Sequence, residues 1–231
     1  MAAGSEASGA LNNDSAWAAL VTATVRAAEA AVDLLGRPQV AVAWDRPSVL
    51  PEMTVGALAA HLAQMLGAGA AWLDADPDRS LTASTPDEVY GLARLGDEGT
   101  DGAVASKIQA WSAAGATAGP EAVSAEASAS LAVLSELLPG ADSTRLIPSV
   151  MAEGRGMTLP DYLRSRCVEF LVHTDDLARS IGLPTPPPDP FAVSAAITVL
   201  VDLCRGRVGD LAVLRALAGR VTADPETLRA L

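Results

Sequence analysis

Histidine is nearly missing from this sequence: His61 and His173 are the only two among 231 residues. Aromatic residues are also scarce, at 3 %, so the core must be built from aliphatic and small side chains. Lys107 is the sole lysine, and 16 basic residues stand against 28 acidic ones, for a formal charge of −12. Nucleic acids and anionic membrane surfaces are bound by clustered Lys and Arg. No such cluster occurs here, so neither is an expected partner. Cys167 and Cys204 do not form a CxxC, which removes thiolate metal clusters from consideration. No apolar run reaches the roughly 20 residues of a membrane span. The opening MAAGSEASGALNND has neither the basic nor the apolar region of a secretory signal. The expected compartment is therefore a reducing cytoplasm, and residues 1–13 read as a disordered tail.

What the chain does have is apolar residues, at 50 %, spaced for helices. A first helix is expected from Asp14 or Ser15, with Trp17, Leu20, Val21, Thr24, Ala28, Ala31 and Leu35 at helical spacing. Gly36 and Pro38 end it, and the stretch Val40 to Pro51 reads as a loop. Thr54 caps a second helix running to about Asp74. A loop with a short helix after Pro86 leads to a third helical region, Ala103 to Leu138, interrupted at Gly115, Gly119 and Pro120. Residues 139–156 read as a connector. Thr158 then caps a helix that exits at Gly182. After the stiff TPPPDP linker, Asp189 and Pro190 open another helix, and a last short one follows Gly209. No alternating β pattern of useful length appears. The expected architecture is an all-α bundle over residues 14–185 with a short helical C-terminal extension, 186–231.

The two histidines carry the chemistry. His173 lies four residues after Glu169, and residues at i and i+4 share a helix face. Glu169 sits in a mostly apolar run, VEFLVH, where a carboxylate is costly to bury without a compensating partner. His61 lies on the apolar side of the second helix. Two imidazoles and a carboxylate suit Zn²⁺, Ni²⁺ or Fe²⁺, and three protein ligands leave a position for water or substrate. On spacing alone a histidine on an apolar face is more often a satisfied core residue, and an E-x-x-x-H pair occurs by chance in many helices. Asp175 and Asp176 are candidates to hold an imidazole N–H. Arg166, one turn before Glu169, reads either as a contact for an anionic substrate or as a surface ion pair. Tyr162 shares that face and either lines a pocket or packs. Cys167, Trp44 and Trp72 read as core. Two E-x-x-H motifs, a HExxH motif, a glycine-rich phosphate loop and a Ser/His/Asp set are all lacking.

Thr54-Val55-Gly56-Ala57-Leu58-Ala59-Ala60-His61-Leu62 resembles the second-helix motif of the mycothiol-dependent maleylpyruvate isomerase N-terminal family. The stretch Met157 to Leu183, with RCVEFLVHTDDL, resembles that family's other metal-binding helix. The WDRPSVLPE loop and the RGRVGDLAVLRALAGR stretch are similar to those of actinobacterial members. The resemblance implies a DinB-like four-helix bundle with a divalent metal, most often zinc, on His61, Glu169 and His173. It implies mycothiol, a low-molecular-weight thiol, as co-substrate. The activity implied is thiol transfer to a small electrophile or isomerisation of maleylpyruvate. The stretch after Pro188 is shorter than the separate αβ C-terminal domain of the characterised isomerase, so the electrophile itself is left open. A non-catalytic metal-binding or regulatory module, and a hydrolase using bound hydroxide, are the other function classes. A monomer or homodimer is expected.

Overall fold

The computed structural model describes residues 3–78, 80–93, 102–220, 228 and 230. Its helices are α1 (Ala3–Leu35), α2 (Pro38–Val42), α3 (Val55–Asp74), α4 (Pro86–Ala93), α5 (Ala103–Ala116), α6 (Pro120–Leu137), α7 (Leu159–Ser180), α8 (Pro190–Val208) and α9 (Asp210–Leu217). Three short strands join them: β1 (Thr82–Ala83), β2 (Leu146–Pro148) and β3 (Arg155–Thr158).

Four of these helices form the expected bundle. α1 packs on α6 and α7, and α3 packs on the same two from the opposite side. α5 covers the outer side of α3, α8 lies against α7, α1 and α4, and α9 rests on α8. Small residues make this close packing possible: Ala23, Ala27, Ala28 and Ala31 of α1 and Ala59, Ala60 and Ala63 of α3 are all buried. Leu58, Leu62, Leu66, Leu163, Leu177 and Phe170 fill the space between. α3 is apolar nearly all round because neighbours cover it on several sides. No described helix is long and apolar enough to cross a membrane.

The capping residues read from the sequence act as expected. Thr54 accepts from the Ala57 amide, Thr158 from Asp161, and Asp189 from Phe191 and Ala192. Gly182 takes a positive φ of 70° after α7, a conformation a Cβ would penalise. α3 ends without a basic residue in its last turn. Instead Arg145, distant in sequence, donates to the carbonyls of Trp72, Leu73 and Ala75, satisfying orphan acceptors at the negative end of the helix dipole.

Three features differ from the sequence reading. α1 begins at Ala3 rather than near Asp14; the preceding stretch has no proline, and its alanines favour a helix despite Gly4 and Gly9. Pro38 both follows α1 and occupies the first turn of α2. The connectors contain a sheet of order β1-β3-β2, with β1 parallel and β2 antiparallel to β3. This sheet pins the start of α4: Ser84 donates its amide to Gly156, and Arg155 reaches Ser84 Oγ at 3.2 Å. Glu88 then accepts from the Thr85 amide at 3.0 Å, one arm of a capping box. Residues 94–101 of the expected loop lie outside the described residues.

Gly56 faces Trp44, and a Cβ there would fall 2.6 Å from the indole. Trp44 is tethered by its Nε1 to the Ala116 carbonyl at 3.2 Å. Gly56→Ala is expected to destabilise by about 1–2 kcal/mol, since overpacking outweighs the helix-propensity gain. Thermal melts should show a Tm lower by several degrees, and no such loss in a Trp44→Ala background.

Candidate metal centre

α7 places Glu169 and His173 on one face, and α3 brings His61 opposite them. His61 Nε2 and His173 Nε2 each lie 3.3 Å from Glu169 Oε2. The two imidazole rings meet edge to face, with centroids 4.9 Å apart. One ligand atom from each of the three residues lies within 4.8 Å of the others, so the group could hold a metal ion. The side chains of His61, Glu169 and His173 are 6 %, 13 % and 21 % exposed, so the last offers the most solvent access.

Each ring's second nitrogen also has a partner. Ser112 Oγ of α5 lies 3.4 Å from His61 Nδ1, and Asp176 Oδ2 lies 3.2 Å from His173 Nδ1. Both Nε2 atoms are thereby directed at Glu169. This is the pattern by which carboxylates and hydroxyls orient metal-binding imidazoles. Exchanging the protons between Nε2 and Glu169 for one divalent cation leaves every other polar contact intact. The residues present therefore fit such an ion by their own chemistry. Asp175 points elsewhere: it accepts from Thr185 Oγ1 at 2.5 Å and pairs with Arg179 at 3.7 Å.

The other oxygen of Glu169 is occupied as well. Tyr90 Oη donates to Oε1 at 3.2 Å, and Arg166 Nη2 approaches it to 3.8 Å. Arg166 is buried, which rules out the surface ion pair. Its guanidinium lies 5.0 Å from the centroid of the Tyr162 ring and donates to Met65 Sδ at 2.7 Å, a weak acceptor. Tyr162 lines a cavity of about 10 Å³ with Arg166, and its buried Oη has no protein partner. Cys167 is fully buried beside Thr24 of α1, in the core as read. Trp44 and Trp72 are partly buried against the core.

Charge follows from these contacts. Burial alone would raise the Glu169 pKa, but hydrogen bonds from His173 and His61 and the nearby Arg166 charge hold it well below the usual carboxylate value. Burial would lower His173, yet hydrogen bonds to Asp176 and Glu169 prevail and push it up to about 9. For His61 burial wins and the pKa falls. Burial raises Tyr90 out of reach of neutral pH, so it stays a donor.

The sequence reading missed Tyr90 and Ser112. Tyr90 had one signal, being one of two tyrosines. Ser112, in an Ala- and Ser-containing helix, had none.

Fold and site together define a DinB-like helical bundle whose two histidines and one carboxylate could hold a metal ion. A family model described as the mycothiol maleylpyruvate isomerase N-terminal domain matches residues 25–178, and the chain belongs to that family. The matched range includes His61, Glu169 and His173 and ends before α8. No curated protein and no solved structure matches the chain.

Tyr90→Phe removes one hydrogen bond from Glu169 while keeping the ring. Divalent-metal affinity, measured by chelator competition, is expected to fall about tenfold, with helix content unchanged. Unaltered affinity would show that Oε1 needs no hydroxyl to orient it.

Proposed function

We propose that this chain is a metal-dependent enzyme that adds a low-molecular-weight thiol, mycothiol, to a small electrophile, transferring the thiol or isomerising a double bond. The convergence of His61, Glu169 and His173 within 4.8 Å carries this reading, and family membership supports the thiol. The nitrogen and oxygen donor set favours Zn²⁺, with Ni²⁺ and Fe²⁺ the other fits. A divalent cation bound there would lower the pKa of a thiol at its open position, making it a thiolate at neutral pH.

The chain's own residues do the rest. Asp176 and Ser112 fix the two imidazoles, and Tyr90 and Arg166 hold the carboxylate. Arg166 donates to Met65 Sδ and the Ser165 hydroxyl, both neutral, and lies 3.8 Å from Glu169, so its charge favours an anionic group on the substrate nearby. Tyr162 holds the guanidinium from below. Addition of the thiolate to a cis-enone, rotation about the new single bond and elimination give the trans isomer and return the thiol. Attack on an epoxide instead forms the S–C bond and breaks C–O, and the alkoxide takes a proton to leave a stable conjugate. A thiol co-substrate fits a reducing cytoplasm.

The alternative is a metal-binding module without turnover. Metal quantification coupled to a mycothiol-dependent assay against a panel of electrophiles separates the two. The enzyme reading expects stoichiometric metal and thiol-dependent product, both lost in His61→Ala and Glu169→Gln. Metal without product supports the module, and product without thiol supports a hydrolase. A protein free of metal, unaffected by His61→Ala, sinks both metal readings.

A further inference from the structure

The face of α7 opposite the metal centre borders a cavity of about 660 Å³. Its walls come from α1, α7, α8 and the Pro186-Pro187-Pro188 strap between α7 and α8. The strap is fastened at both ends: Thr185 donates to Asp175 of α7 at 2.5 Å, and Asp189 pairs with Arg26 of α1 at 3.1 Å. The volume lies in the range of small-molecule sites, which are mostly apolar with a few placed polar groups. The strap and α8 both lie beyond the residues that the family model matches.

The polar group here is Thr174. It is 5 % exposed and lines the cavity, and its Oγ1, covered by protein as it stands, has no hydrogen-bond partner. Thr22, Thr24 and Thr198, also within helices, donate to the carbonyl four residues back. Thr174 leaves that local bond unmade, at a cost that a buried hydroxyl incurs unless something else meets it. The charged groups at the rim, Arg26, Asp175 and Asp189, are paired with protein groups. The lining therefore offers no free charge to an ion.

We propose that this cavity is a second binding site, separate from the metal centre, for a neutral, largely hydrocarbon small molecule whose one polar group draws the Thr174 hydroxyl round by rotation about χ1 and hydrogen-bonds it. The probe is N-phenyl-1-naphthylamine, a neutral fluorophore with a single N–H that brightens in apolar surroundings. Titration into the full chain should give saturable, one-to-one binding. Ala30→Phe, which fills the α1 wall, should abolish it. If that variant loses its helical circular dichroism, Ile197→Trp on the half-exposed α8 wall takes its place. Thr174→Val keeps shape but removes the hydroxyl, and should weaken binding about threefold to tenfold. His61→Ala should bind the probe as the native chain does.

Non-saturable fluorescence, or binding that survives the filling variants, overturns the proposal. So does a Thr174→Val affinity equal to the native one. Binding lost in a folded His61→Ala would place the probe at the metal centre instead. A dimer by sedimentation that Ala30→Phe splits, with no probe bound to either form, would assign the cavity to a second copy of the chain.

Discussion

A carboxylate inside an apolar bundle must be answered from several directions at once, because each unsatisfied oxygen forfeits its hydration. Glu169 is answered by four groups on three helices: His61 of α3, Tyr90 of α4, and Arg166 and His173 of α7. The oxygens divide the task, Oε2 facing both imidazoles and Oε1 facing the phenol and the guanidinium. Much of the architecture serves this arrangement. α5 covers α3 and supplies Ser112 to turn His61. The small sheet fixes the start of α4, and α4 in turn delivers Tyr90. A buried ion pair is weak evidence for stability, so this assembly is better understood as holding a site than as holding the fold.

The charges point the same way. Arg166 and a protonated His173 together offset Glu169 and Asp176, so the centre carries no surplus of negative charge to attract a cation by Coulomb force alone. Affinity for a metal would come from two directed imidazole nitrogens and one oxygen. With Arg166 opposing Asp176, a divalent cation on neutral imidazoles would leave the complex with one net positive charge. Positive charge in a largely buried place favours an anionic occupant of the open position. On the proposed function a thiolate would fit this centre better than a neutral ligand, and Arg166 would contribute to that charge without touching the three candidate ligand atoms.

Some of this was legible in the sequence and some was not, for physical reasons. His61, Glu169 and His173 stood out because histidine is rare here and i, i+4 spacing fixes a shared face. The caps Thr54, Thr158 and Asp189 are local, so sequence alone places them. Arg166 could be read two ways because its burial depends on α3 and α4, which are remote in sequence. Asp175 and Asp176 differ by about 100° round the helix, and only the structure shows which meets His173. Tyr90 was hidden because its position is set by strands of two to four residues, too short to show alternation. Arg145 at the end of α3 was hidden for the same reason, its partners being some seventy positions away.

α7 is the partition between two environments. One face carries Arg166, Glu169, His173 and Asp176, every one of them engaged with another polar or ionic group. The other carries Phe170, Leu171 and Thr174 toward the cavity bordered by the proline strap. Phe170 also borders the small cavity at Arg166 and Tyr162, so a single ring separates the apolar site from the guanidinium beside the carboxylate. Tight packing transmits displacement. An occupant of the larger cavity would rest on the same helix that aligns two of the three candidate metal-binding side chains. The two sites are thus chemically independent, one polar and one apolar, but they are built on opposite faces of one rigid element.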